Sequence, residues 1–244
     1  MGIRGEGHFK VFLGGTCNES KWRDEIIEKL NIDYFNPVVK DWTPDCIEKE
    51  EEEKILADYL LFVITPEMSG VYSIAEAVQA SNVVPDKTVF CILESYDCKT
   101  FDKKQLRSLE QVGRIIADNG CRVFYNLDST AKYLNKSREE YIKKSVGKIV
   151  RQYTGDLYMI DGVATHCDSE EEYVVYRALF GTCKDYISPI SKFAGRCNQE
   201  ESEYTNQLYR FEIYCPESMQ KQRTFKFTDF KHKEIEEGSL LEVR

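Results

Sequence analysis

No stretch of this 244-residue chain approaches the roughly 18 consecutive apolar residues a membrane helix needs, so no membrane partner is expected. Nine cysteines occur without a single CxxC pair, and there are only three histidines, His8, His166 and His232. Without paired ligand spacing, no metal site is expected. An odd cysteine count fits a secreted disulfide framework poorly, and Cys91 and Cys121 fall in apolar segments, so reduced thiols and a cytoplasmic location are expected. Residues Met1 to His8 lack a hydrophobic signal-peptide core, and Glu6 stands where a myristoylation signal requires Ser or Thr. The net charge of −9 leaves no broad basic field, which argues against general nucleic-acid binding; a local basic pocket for one small anion stays open. A GxGxxG fingerprint is also missing, which argues against a dinucleotide site.

What is present is an alternation of strand and helix. Lys10 to Thr16 reads as a buried strand ending in a glycine turn, followed by a helix from Lys21 to Asn31 capped by Ser20. A short strand covers Asp33 to Val39, confined to an edge or end by Pro37. An acidic helix over Asp45 to Ala57, a strand over Tyr59 to Thr65 and a helix over Ser73 to Ala80 come next. Strands at 87–94 and 121–125 flank a helix over Leu106 to Asn119, and a long helix is expected from Ser129 to Arg151. This order predicts an α/β fold, a flavodoxin-like doubly wound sheet of five parallel strands.

The character changes near Gly155, where short strands are expected at 156–160, 163–166, 173–181, 209–214 and 224–227. The expected organisation is therefore an α/β domain over 1–152, a small β-rich domain over 153–230 and a charged tail over 231–244.

Glu76 is the most informative side chain. It follows an apolar strand, one turn into a helix, where ligands bind at the carboxyl ends of parallel strands and the helix dipole favours negative charge. Ser73-Ile74-Ala75-Glu76 equally fits the S-x-x-E capping box. Glu50 to Glu53 reads as a solvated helix face and Asp58 as a helix-end residue. Gly14-Gly15-Thr16 is either a tight turn or a place where backbone N–H groups approach a sugar or phosphate. His166 and Cys167, adjacent on a strand, point to opposite faces and make no dyad.

An ordered series of short matches resembles the nucleoside 2-deoxyribosyltransferase-like family. The series runs through Val11 to Thr16, Lys21-Trp22-Arg23, Phe35-Asn36-Pro37, Asp41-Trp42, Leu56-Ala57-Asp58, Tyr59 to Ile64 and Ser73 to Ala77. The resemblance implies that Glu76 attacks the anomeric carbon of a nucleoside to form a glycosyl ester, related in logic to retaining glycosidases. It implies Glu50 as the acid or hydrogen-bond partner of the base, and Asp58 as the catalytic group's helix-end aspartate, organising the site rather than reacting. Gly14, Gly15, Thr16, Arg23, Asn36, Ser69 and Ser73 are implied as substrate contacts, with Arg23 supplying charge for a phosphate. No cofactor or metal is implied, the partner is a nucleoside or nucleotide, and a homo-oligomer is expected because relatives complete their sites with a neighbouring subunit.

The chain departs from the family pattern at Phe12, where characterised transferases carry a tyrosine, and near Gly70, where classical ones carry an aspartate. Transfer and hydrolysis at the N-glycosidic bond therefore stand beside a non-catalytic alternative, a nucleotide-binding or sensing protein using the same crevice. Residues 153–193 separately resemble a small bacterial domain of unknown function.

Overall fold

A computed structural model describes residues 7–17, 20–39, 44–203, 205 and 207–214. The Asp41-Trp42 pair, the strand expected at 224–227 and the charged tail lie outside the described residues.

The first half runs β1 (Lys10–Gly15), α1 (Trp22–Lys29), β2 (Asp33–Phe35), α2 (Pro44–Leu56), β3 (Tyr59–Ile64), α3 (Tyr72–Val83) and β4 (Thr88–Ile92). A small hairpin of β5 (Ser95–Tyr96) and β6 (Lys99–Thr100) leads to α4 (Lys103–Asp118), β7 (Arg122–Phe124) and α5 (Leu127–Lys143). Strands β2, β1, β3, β4 and β7 form one parallel five-stranded sheet in that spatial order, the expected flavodoxin-like arrangement. The order reverses between β1 and β3, the switch point at which open α/β sheets bind ligands.

Alternation along the strands divides the core. Val11, Leu13, Leu61, Val63 and Val89 face α1 and α5, where Trp22, Ile26 and Leu134 cover them. Phe12, Leu60, Phe62, Ile64 and Phe90 face the other way, with Ala77 of α3 and Leu109 and Ile116 of α4. Both faces are covered, so these strands read as unbroken apolar runs.

Several boundaries differ from expectation for identifiable reasons. Helix α4 starts three residues early because Asp102 and Gln105 form a capping box, the Asp102 side chain accepting from the N–H groups of Lys104 and Gln105. Helix α1 has Lys21 at its cap position with no side-chain cap bond, so Ser20 does not cap it. Helix α5 stops at Lys143 instead of running to Arg151. Gly147 takes φ +82°, which reverses the chain, and its N–H donates to the Ile160 carbonyl. Val150 then turns inward in a strand, β8 (Ile149–Gln152).

Strand β8 belongs to a second, antiparallel sheet with β9 (Leu157–Thr165), β10 (Glu172–Ala178), β11 (Asp185–Pro189) and β12 (Phe211–Ile213), in the order β11-β10-β9-β8-β12. The two short strands expected around Gly162 are one strand. The register slips between Val175 and Tyr176, leaving Asp161 of β9 without an opposite number, a β-bulge. Two short helices, α6 (Ile190–Phe193) and α7 (Gln199–Glu203), follow β11. Phe193 stacks on Phe211 at 4.1 Å in this second core.

Arg138 of α5 links the two sheets. It is fully buried, donates to the carbonyls of Gly7 and Phe211, and lies 3.9 Å from the Tyr209 ring centroid. Asn31 adds a bond to the Ser191 carbonyl at 2.9 Å.

Candidate active site

The glycine turn after β1 is a packed structural element. Gly15 has φ +120°, and a Cβ there would fall 2.1 Å from the Val63 carbonyl oxygen, so only glycine fits. Thr16 is 4% exposed; its N–H donates to the Val63 carbonyl, and its hydroxyl accepts from the Thr65 N–H at 3.0 Å. These bonds tie the carboxyl end of β1 to that of β3.

Arg23 lies beneath this turn, also only 4% exposed. Its guanidinium donates to the carbonyls of Leu13 (3.0 Å), Thr16 (2.7 Å) and Gly15 (3.3 Å) and stacks on Trp22. Burial lowers its pKa from the usual arginine value. The geometry gives Arg23 to the backbone, so the phosphate contact expected of it has no support in its placement.

Helix α3 answers the capping question. Its cap residue is Val71, with no side-chain cap bond. The Ser73 hydroxyl donates instead to the Gly15 carbonyl at 3.1 Å, fixing α3 to the turn. The Glu76 carboxylate reaches across to α2, where Oε1 accepts from Lys54 Nζ at 2.6 Å. The same ammonium holds Glu50 Oε1 at 2.8 Å. The structure thus brings Glu50 and Glu76 together through a lysine that the sequence reading passed over.

Lys54 was legible as the i+4 partner of Glu50, a pairing that favours helices. Its ammonium lies 5.1 Å from the Phe12 ring centroid, and Phe12 stacks on Phe35. Burial works to lower the Lys54 pKa, but the hydrogen bonds to Glu50 and Glu76 outweigh it and raise the value. The cation therefore stays charged across the neutral range.

An open groove of about 580 Å³ lies between α2 and α3, lined by Glu76 and Lys54 with Leu60, Phe62, Ile55 and Tyr72 among others. That volume is in the range of small-ligand sites. Glu76 is 16% exposed, enough to meet a ligand there.

The remaining expected residues are placed differently. Asp58 precedes β3, at the opposite end of the strand from the glycine turn, and its carboxylate accepts from the Lys10 backbone N–H at 2.8 Å. It braces β1 against β3. Asn36 follows β2 and accepts from the Val38 N–H at 3.1 Å, shaping the turn there. Ser69 is exposed in the loop between β3 and α3, on the carboxyl side of the sheet. Among the described residues, His166, Cys167 and Asp168 bring donor atoms within 4.8 Å of one another, all exposed in the β9–β10 turn. The His166 Nδ1 there already accepts from the N–H groups of Asp168 and Ser169.

Comparison with known proteins bears on two segments. Residues 8–96 match the family model described as nucleoside 2-deoxyribosyltransferase like, a description that suggests glycosyl transfer at nucleosides. Residues 148–213 match one described as a protein of unknown function (DUF1653). No curated protein matches the chain, and no solved structure does. The first match contains every residue of the group around Glu76; the second begins just before β8 and spans the antiparallel sheet. No described helix is long and apolar enough to cross a membrane.

Proposed function

We propose that this protein cleaves or transfers at the N-glycosidic bond of a nucleoside, with Glu76 as the nucleophile. The observation that carries this reading is the gathering of two carboxylates on one ammonium at the groove between α2 and α3. The ion-pair lengths of 2.6 and 2.8 Å keep the two bridged oxygens within about 5.4 Å of each other. That upper limit lies below the roughly 6.5–9.5 Å that direct attack by water needs, which favours double displacement.

In the first step a Glu76 oxygen bonds to the anomeric carbon while the carbon–nitrogen bond breaks, its electron pair leaving with the base. The base takes up a proton from Glu50 or from water. In the second step water or another base attacks the same carbon, and the ester electron pair returns to Glu76. Neither step calls for a cofactor. Arg23 is spent on carbonyls and Lys54 is neutralised by two carboxylates, which favours an uncharged nucleoside over its 5′-phosphate.

Around the groove, Ile55, Tyr72 and Val83 are more than 70% exposed, the face on which a second copy would close in a homo-oligomer. Light scattering tests that assembly.

One observation favours a second reading, binding without turnover: Glu76 is already satisfied by Lys54. Incubation with a panel of nucleosides and 5′-nucleotides, with chromatographic detection of free base, separates the two. Base release that disappears in Glu76→Ala supports the enzyme. Tight binding that survives this substitution, with no release from any substrate, supports the binding protein.

A further inference from the structure

We propose that Lys54 is the positioning residue for Glu76, holding one carboxylate oxygen so that the other meets the anomeric carbon. The proposal rests on the nucleophile role given to Glu76 above. Among the described residues Lys54 is the partner of Glu76 Oε1, and Oε2 accepts no hydrogen bond. A glutamate carboxylate rotates freely about its last torsion, so one fixed bond decides which oxygen faces the ligand. Orientation of this kind is worth a large share of a rate enhancement, and a misplacement of about 1 Å costs on the order of 100-fold.

Three features assign this task to Lys54. The first strand has nothing to offer in its place: Phe12 is the residue beneath the group, and its ring carries no hydrogen-bond donor. That ring and the two carboxylates all contact the ammonium, which limits the freedom of a flexible side chain. Helix α2 also has a separate anchor on β1, the ion pair between Lys10 and Glu53. Lys54 is therefore not the sole tie between α2 and the sheet. Sharing the cation further stabilises Glu50 and Glu76 as neighbours, since two unscreened carboxylates at this separation repel.

The test compares base release by the full chain carrying Lys54→Met, Lys54→Gln or Lys54→Arg, each confirmed as folded by its unfolding transition. The proposal predicts that kcat falls about 100-fold in Lys54→Met and Lys54→Gln, with KM within threefold of the wild type. Lys54→Arg, which restores a cationic donor, recovers at least a tenth of the wild-type kcat. The control Lys10→Met removes the other anchor of α2; it lowers stability and leaves kcat within threefold.

An active wild type whose kcat survives Lys54→Met overturns the proposal and leaves the nucleophile reading intact. Equal losses of kcat in Lys54→Met and Lys10→Met make the role structural and also overturn it. A wild type that releases no base from any nucleoside overturns the functional reading and, with it, the role of Lys54.

Discussion

Helices α2 and α4 cover the same face of the parallel sheet and turn opposite chemistry toward it. In α4, Leu109, Gly113 and Ile116 are buried and the lysines stay in water. In α2, Glu50, Glu53 and Lys54 point inward to ion pairs, while Ile47 is 45% and Ile55 75% exposed. Helix α4 follows the rule for an amphipathic surface helix, and α2 inverts it. Half-buried charge adds little to stability, because desolvation offsets the attraction. Places where a sequence breaks a local rule are where function is to be sought. The α2 inversion sits beside the group that holds Glu76.

The sharpest way to break this comparison is to remove Glu76 itself. Glu76→Ala should lower base release by at least about 1,000-fold, as losing a covalent nucleophile does. Its unfolding midpoint should move little. The reciprocal change, Leu109→Ala in α4, should cost about 2–5 kcal/mol in chemical denaturation. The specific activity of the molecules that remain folded should be unaltered. If Leu109→Ala lowers kcat as much as Glu76→Ala does, the division between a structural and a functional helix fails.

The same contrasts mark which features are legible in the residues themselves. Strands β1, β3 and β4 were readable because nearly every side chain in them is buried. Strand β11 was not, since its apolar residues Tyr186 and Ile187 are adjacent rather than alternating and both are exposed. The β5–β6 hairpin turns at Asp97 and Cys98, both in left-handed conformations that neither residue advertises. Glu76 stood out by its place one turn into a helix after an apolar strand, and Glu50 by family resemblance alone. The i+4 pairing of Lys54 with Glu50 was visible, but the run Glu50-Glu51-Glu52-Glu53-Lys54 reads on pattern alone as a solvated face, so its inward aim was not. Arg23 misled for the converse reason: a charged residue near a helix start looks available, and only packing shows it folded under the turn. Asp58 accepts from the Lys10 backbone N–H at the amino end of β3, a brace that its helix-end position did not reveal.

Smaller effects sharpen the contrast. Asp102→Ala should cost about 1 kcal/mol by removing the α4 cap, without touching activity. Replacing the whole α2–α3 charge group (Glu50→Leu, Lys54→Met, Glu76→Leu) should leave the unfolding free energy within about 1 kcal/mol of the wild type while abolishing base release. Its pH dependence carries a definite sign. The Lys54 pKa is raised in the fold above the ordinary 10.5, so the native state holds that proton more tightly than the unfolded chain. The stability this contributes is fully present below pH 10.5 and fades as pH rises through the raised folded value. Measured against the triple variant, the wild type should therefore lose ground as pH rises above 10.5.

The most direct test of the central claim is to trap the sugar on the protein. The chain is incubated with a nucleoside whose sugar carries a 2′-fluorine to slow turnover, then digested and analysed by mass spectrometry. One adduct of the sugar's mass is expected, on the peptide containing Glu76 and absent from Glu76→Ala. An adduct on another residue, or base release with no adduct at any time point, would contradict the claim.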